Sequence, residues 1–264
     1  MSTQHYYKET KKRTAEEVFE EAIVDWVRRE RQLQPRLGAQ KLLVRWEEQA
    51  GYKLMGRDRF YNLLRANGLL LTQKRRKPRT TQSNHGLPVF PNEVGNTHAQ
   101  RPNEVWVSDF TYLRTHGGFA YLFLITDQCS RKIVGHHLSS TMCGEDAVKA
   151  LERAIASLPL GARPIHHSDQ GAQYCSTVHL ELLEKHEITP SMTEEDHCAE
   201  NAMAERVNGI LKSEYALGER FPDLPTLRKA VLQAIHFYNH ERPHRALQMD
   251  YPARFHERCV PASA

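Results

Sequence analysis

Apolar positions in residues 14–71 recur at helical spacing. Phe19, Ile23, Trp26 and Val27 share one face, Leu42, Leu43 and Trp46 mark a second helix, and Phe60, Leu63 and Leu64 mark a third. Gly51 and Gly56 separate the last two, so the pattern predicts helix, glycine-containing turn, helix. The third helix opens with Arg57, Asp58 and Arg59, as expected of a recognition helix that presents its N-terminal residues to a major groove. A plain helical bundle with solvated arginines has the same pattern. From residue 105 the period changes. EVWVSDFTYLRT alternates, Gly117 and Gly118 supply a turn, FAYLFLITDQ is a near-continuous apolar strand, and SRKIVGHHLS follows as a third, which predicts three consecutive antiparallel strands. GEDAVKALERAIASL then has helical spacing. A short strand, Pro164 to His167, a helix from Val178 to His186, a strand at Ile188 and helices near 199–216 and 225–240 complete the pattern. Three strands, a helix, then alternating strand and helix make an α/β chain with a mixed sheet flanked by helices, preceded by an all-α domain.

Domain limits follow from where periodicity lapses. Residues 1–80 form the helical domain, 81–100 a linker, and 101–264 the α/β body with its C-terminal helices. Charge sharpens this division. Residues 1–80 hold 19 Lys and Arg against 10 Asp and Glu, whereas residues 81–264 hold 17 against 22, so the net +4 conceals a basic end and an acidic body. Lys74, Arg75, Arg76, Lys77 and Arg79 fall within six positions, a patch suited to a phosphate backbone through counterion release. No apolar run approaches the ~20 residues needed to cross a bilayer, and MSTQHYYKETKKR lacks the apolar segment of a secretory signal, so a cytoplasmic location is expected. Five cysteines without a Cys-x-x-Cys pair argue against a disulfide framework or a zinc ribbon.

Candidate chemistry lies in carboxylates. Asp109 interrupts an apolar strand, where an ionised group is costly unless something pairs with it. Asp169 follows a short strand and precedes Gln170 and Gly171, at the end of a strand where α/β sheets gather ligands; a turn-forming Asp would look the same. Glu205 lies on a helix whose core stripe is Met203, Val207, Ile210 and Leu211, with Asn201, Asn208 and Lys212 on its own side, and a solvated face is the plain alternative. Three acids converging from two strands and a helix suit hard divalent cations, and two such ions clamp the attacking and leaving oxygens of a phosphoryl transfer. Of the remaining polar residues, one of His166 and His167 is expected to point outward, with His167 a candidate for contact with metal-bound water or DNA. Gln173 and Tyr174 are candidates for DNA contact or loop packing, and Glu214 reads as a solvated acid. His236, His240 and His244 recur every four residues, but Pro243 breaks the helix between the last two, which favours a surface helix end over a zinc site.

Thirty-five residues separate Asp169 from Glu205, and Lys212 follows by seven. This spacing resembles the Asp, Asp, 35, Glu signature of the retroviral integrase superfamily, with the basic residue found in bacterial insertion sequences. The words VWVSDFTYL, LITDQCSRKIVG, HHSDQGAQYCS, SMTEEDHCAENAMAERVNGILKSE and YNHERPHRAL resemble the transposase encoded by the second open reading frame of insertion sequence family 3, over residues ~30–255. The resemblance implies an RNase H-like core in which Asp109, Asp169 and Glu205 hold two Mg²⁺ ions, with Mn²⁺ as a substitute, behind a helix-turn-helix region. It implies a DNA transposase that cleaves and joins element ends and target DNA, acting as a homo-oligomer on DNA, nucleoid-associated, with no membrane role. Lys212, Arg57, Arg59, Lys74, Arg75, Arg76, Lys77 and Arg79 are the expected DNA contacts. In that family the full transposase is commonly a fusion to an upstream frame carrying another helix-turn-helix and a leucine zipper, neither visible here. A nuclease of the same fold that only hydrolyses, and a non-catalytic DNA-binding repressor, are the alternatives.

Overall fold

The computed structural model describes residues 3–51, 53, 55–71, 87–95, 98–194 and 201–260, with side chains from residue 16 onward. Contacts divide the chain into two units, Met1–Arg76 and Lys77–Ala264.

In the first unit the expected helices form: α1 (Thr3–Leu33), α2 (Ala39–Ala50) and α3 (Arg57–Ala66). Their apolar faces meet in one core, with Ile23, Val27, Leu37, Leu42, Phe60 and Leu64 fully buried. Gly51 ends α2 at φ 78°, a left-handed position that suits glycine, and its N–H caps the Glu47 carbonyl. Trp26 packs edge-on against Trp46 at 5.0 Å, and a buried ion pair joins Arg45 to Glu30 at 2.9 Å.

The second unit is built on a sheet of strand order β3-β2-β1-β4-β5: β1 (Val105–Thr115), β2 (Gly118–Asp127), β3 (Ile133–Ser139), β4 (Ile165–Ser168) and β5 (Thr189–Met192). The first three are antiparallel, whereas β4 runs parallel to β1 and β5 parallel to β4. Helices α4 (Gly144–Ile155) and α5 (Thr177–Lys185) share a core with Trp106, Phe123 and Ile125. Helices α6 (Ala202–Glu214) and α7 (Leu224–His240) share another, with Leu113, Leu122 and Leu124. Alternation along β1 and β2 sends neighbouring residues to opposite faces, which is why one strand serves both cores. A final helix, α8 (Pro252–Cys259), and a two-residue strand, β6 (Arg220–Phe221), were outside the sequence pattern. β6 is too short to carry a period.

β1 is forked. Its start pairs with β4 only over Val105–Val107, and its end pairs with β6 only over Arg114 and Thr115. Between them the side of β1 opposite β2 has no strand partner among the described residues, and Asp109 lies in that gap. The stretch expected to be a linker contributes to this unit: Val94 is buried with Val105 and Val107, and the Glu93 N–H donates to Ser191 Oγ at 2.9 Å.

Candidate active site

Strand β1 delivers Asp109 to the fork, β4 ends one residue before Asp169, and the first turn of α6 carries Glu205. Asp109 is half-buried, and both its oxygens are held: Oδ1 accepts from the Phe110 N–H and Oδ2 from Asn208 Nδ2, each at 2.8 Å. Burial and then the negative charge of Asp169 are the main causes that raise its pKa, to about 7, and Glu205 adds to the rise. The three acids are therefore electrostatic neighbours. Among the described residues, however, no three His, Cys, Asp or Glu side chains stand close enough to hold one metal ion as they are placed. Glu205 is exposed, and the six residues just before Asn201 lie outside the description.

The Asp169 loop is tied to itself. Gly171 donates its N–H to Asp169 Oδ1 at 3.1 Å, and a Cβ on Gly171 would meet that oxygen at 2.9 Å and the Gln173 amide closer still. Tyr174 and Cys175 are buried in the α4/α5 core, so for Tyr174 loop packing, not DNA contact, is what the structure has. Burial, with the charges of Asp109 and Asp169 behind it, pushes the Tyr174 hydroxyl well above its ordinary range; burial and Asp169 push the Cys175 thiol up to about 11.

Two expectations need correction. His166 and His167 are both buried: His166 shares a 2.7 Å hydrogen bond with Ser108 Oγ, and His167 a 2.9 Å bond with Ser191 Oγ. Neither points outward, because β4 is an inner strand between β1 and β5, and His166 also packs on His179 of α5. Glu214 is not a solvated acid: it accepts two bonds from the Arg242 guanidinium, at 2.8 and 3.0 Å, and Arg242 is only 4% exposed. The side of α6 expected to be wet is likewise part covered. Asn208 is buried against Asp109, and Asn201 donates to the Ser108 carbonyl at 3.0 Å, satisfying the open side of β1. Asn208 was missed as a functional residue. Its one signal was its place a single turn after Glu205 on the same face.

Lys212 lies two turns after Glu205 and is half-buried. In the helical unit, Arg57 pairs with Asp58 at 2.9 Å, and Arg59 pairs with Glu20 of α1 at 2.9 Å, both exposed. Lys74, Arg75, Arg76, Lys77 and Arg79 lie outside the described residues. His236 and His240 stack at 4.9 Å on α7, with His244 beyond the helix end.

Residues 99–198 match the family model described as Integrase core domain, and residues 186–252 match a second model of the same description. The chain is similar to the insertion element IS600 uncharacterized 31 kDa protein of Shigella sonnei, 38% identical over 207 residues that cover 78% of this chain and 76% of that protein. It is 34% identical over 183 residues to transposase InsF for insertion sequence IS3A of Escherichia coli (strain K12), covering 69% of this chain and 64% of the transposase, a little under two thirds of its length. Among solved structures it is similar to the simian T-cell lymphotropic virus intasome in complex with PP2A regulatory subunit B56 gamma, with a TM-score of 0.54 and 19% identity over 86% of this chain and 73% of that one. That likeness gives the RNase H-like fold of a retroviral integrase core. The two core models together span more than half of the chain, and with the extent of the IS600 relative they show the family: the chain belongs to the integrase-core family and is homologous to proteins of the insertion sequences IS600 and IS3.

Proposed function

We propose that this chain is the catalytic transposase of an insertion sequence, cutting DNA at element ends and joining the liberated 3′-hydroxyl to target DNA. The reading is carried by one observation: Asp109, from β1, lies within electrostatic reach of Asp169 and Glu205, which arrive from another strand end and a helix, and burial first, then those two charges, raise its proton affinity. Three carboxylates that repel one another are a poor arrangement for a folded chain alone, and a good one for a chain that binds cations. The donor set is all oxygen, which suits Mg²⁺, with Mn²⁺ as a substitute. The buried Asn208 Oδ1, with no hydrogen-bond partner among the described residues, adds a further acceptor beside Asp109. When bound, two Mg²⁺ ions supply charge stabilisation to the attacking and leaving oxygens of an in-line displacement.

The chain's own contribution is positioning. Asn208 and the Phe110 N–H fix the Asp109 carboxylate before any ligand arrives, and the Gly171 N–H fixes Asp169, so little reorganisation remains for the reaction. Lys212, two turns from Glu205, is the proposed contact to the phosphates of the element end. Arg57, Arg59 and the run Lys74 to Arg79 are the proposed contacts outside the core, with α2, the turn at Gly51 and α3 as a helix-turn-helix. No described helix is long and apolar enough to cross a membrane, and we place the protein in the cytoplasm on the bacterial nucleoid, assembled as a homo-oligomer on DNA and active as a fusion with, or beside, the upstream-frame product.

Strand transfer with paired element ends, run with and without the upstream-frame fusion, tests this. Asp109→Asn, Asp169→Asn and Glu205→Gln should each abolish cleavage and joining while DNA binding holds or tightens. Full activity of any one of them, or full activity in excess chelator, sinks the reading.

A further inference from the structure

The face of β1 and β2 that packs on α4 outruns its helical cover. Near Trp106 and Phe123 it is sealed, but towards the β1–β2 turn it opens. Cross-strand partners share a face, so two successive rows can be written from the register. Tyr112 pairs with Tyr121, and Arg114 with Phe119 on one side and Arg220 of β6 on the other. Tyr112 is 41% and Phe119 56% exposed, and the three rings form one cluster, Tyr112 lying 5.3 Å from Tyr121 and 6.2 Å from Phe119.

Two features of this patch call for a ligand. Tyr121 is half-buried against the α4/α5 core, but Tyr112 and Phe119 stand outside it, and contiguous exposed apolar surface on a soluble protein marks a contact site. Arg114 and Arg220 stand side by side on neighbouring strands about 4.8 Å apart, where like charges repel, and neither has an acidic partner among the described residues. Aromatic rings with unopposed guanidinium groups beside them match the two halves of a nucleotide, the flat base and the anionic phosphate. A protein partner would satisfy the rings but would need its own acids to satisfy the arginines.

We propose that this exposed end of the sheet is a platform for a single nucleic-acid strand, with unpaired bases stacking on Tyr112, Phe119 and Tyr121 and phosphates on Arg114 and Arg220. Strands β1 and β2 alternate, so the platform lies on the face opposite Asp109. It is therefore a second DNA contact, separate from the carboxylates, and it suits the unpaired flank that cutting and joining leave behind. It draws on the transposase reading only for the presence of DNA.

The full-length chain in excess EDTA, with the carboxylate site silent, is titrated with a fluorescein-labelled oligo(dT) of about 15 nucleotides and with a duplex of equal length, by anisotropy at several salt concentrations. Tyr112→Ala and Phe119→Ala, both at exposed positions, should each weaken oligo(dT) binding about tenfold and leave duplex binding within about twofold. Tyr112→Phe should retain binding. Arg114→Ala with Arg220→Ala should lower the log-log salt slope for the single strand by roughly 0.7 per lost phosphate contact. The proposal is overturned if the wild-type chain does not bind oligo(dT), if the alanine variants bind it as wild type does, or if sedimentation shows that they only dissociate a dimer, which would make the patch a contact between copies. Because binding is read without catalysis, these outcomes are independent of whether Asp109→Asn abolishes strand transfer.

Discussion

Asp109 carries an unusual proton affinity for a carboxylate, and the sign of its effect on stability is fixed. Its folded pKa, about 7, lies above the unfolded value near 3.9, so its contribution to stability is fully present below pH ~3.9 and is lost as pH rises through 7. In EDTA, the melting temperature of the wild type relative to Asp109→Asn should therefore fall between pH 4 and pH 8; parallel profiles for the two proteins would show that neither burial nor the charges of Asp169 and Glu205 raise the Asp109 pKa. Gly171 makes a second test at this scale. A methyl there meets Asp169 Oδ1 and the Gln173 amide, so Gly171→Ala should cut strand transfer at least tenfold with little loss of melting temperature, and an unaltered rate would mean that the Asp169 carboxylate need not hold its present orientation. Asp109 itself was legible in the sequence because an acid in an apolar strand is costly. Asn208 was not, since its partner is 99 residues away and an Asn on a helix face looks solvated until something covers it.

Helix α6 is the element on which the site depends, because one face bears Glu205, Asn208 and Lys212 while its other face is packed through Val207, Ile210 and Leu211. Its far end is anchored by Glu214 to Arg242. Removing only the acid leaves a guanidinium buried without its partner, so Glu214→Ala should cost about 3–5 kcal/mol by chemical denaturation. A loss below about 1 kcal/mol would return Glu214 to the solvated role that its sequence context suggests. The elements themselves were mostly readable: alternation marks β1 and β2, and a 3.6-residue period marks α2, α3 and α4. What escaped was which faces become covered. β4 reads as a short strand with one wet side, yet its place between β1 and β5 buries both histidines, and no local pattern contains that neighbour order.

At the scale of the whole chain, charge and contacts divide the molecule at nearly the same point, a basic helical unit ending at Arg76 and a more acidic α/β unit after it. Each unit has its own buried core. Deleting residues 1–76 should leave a folded protein that binds Mg²⁺ but has lost most of its preference for the element end, with a flatter log-log salt dependence, since each phosphate contact removed takes roughly 0.9 from the slope on duplex DNA. Anisotropy titrations that gave the same slope and the same preference for the truncated core would move recognition into the α/β unit. The ion pair between Arg59 and Glu20 bears on the same question: an arginine already engaged by a carboxylate must exchange it for phosphate, so Arg59→Ala should weaken DNA binding less than its charge alone suggests.

The fork in β1 also gives the site a built-in reporter. On the side of the strand facing away from β2, the Phe110 N–H has the Asp109 carboxylate itself as its acceptor. Most amides in a sheet are held by a neighbouring backbone and register nothing of the chemistry nearby. This one is held by the group expected to change partner when a cation or DNA arrives, so its resonance position and its rate of exchange with deuterated solvent follow the state of a single Asp109 oxygen. An isotope label at Phe110 would thus read occupancy of the site directly, in a protein that is not turning over.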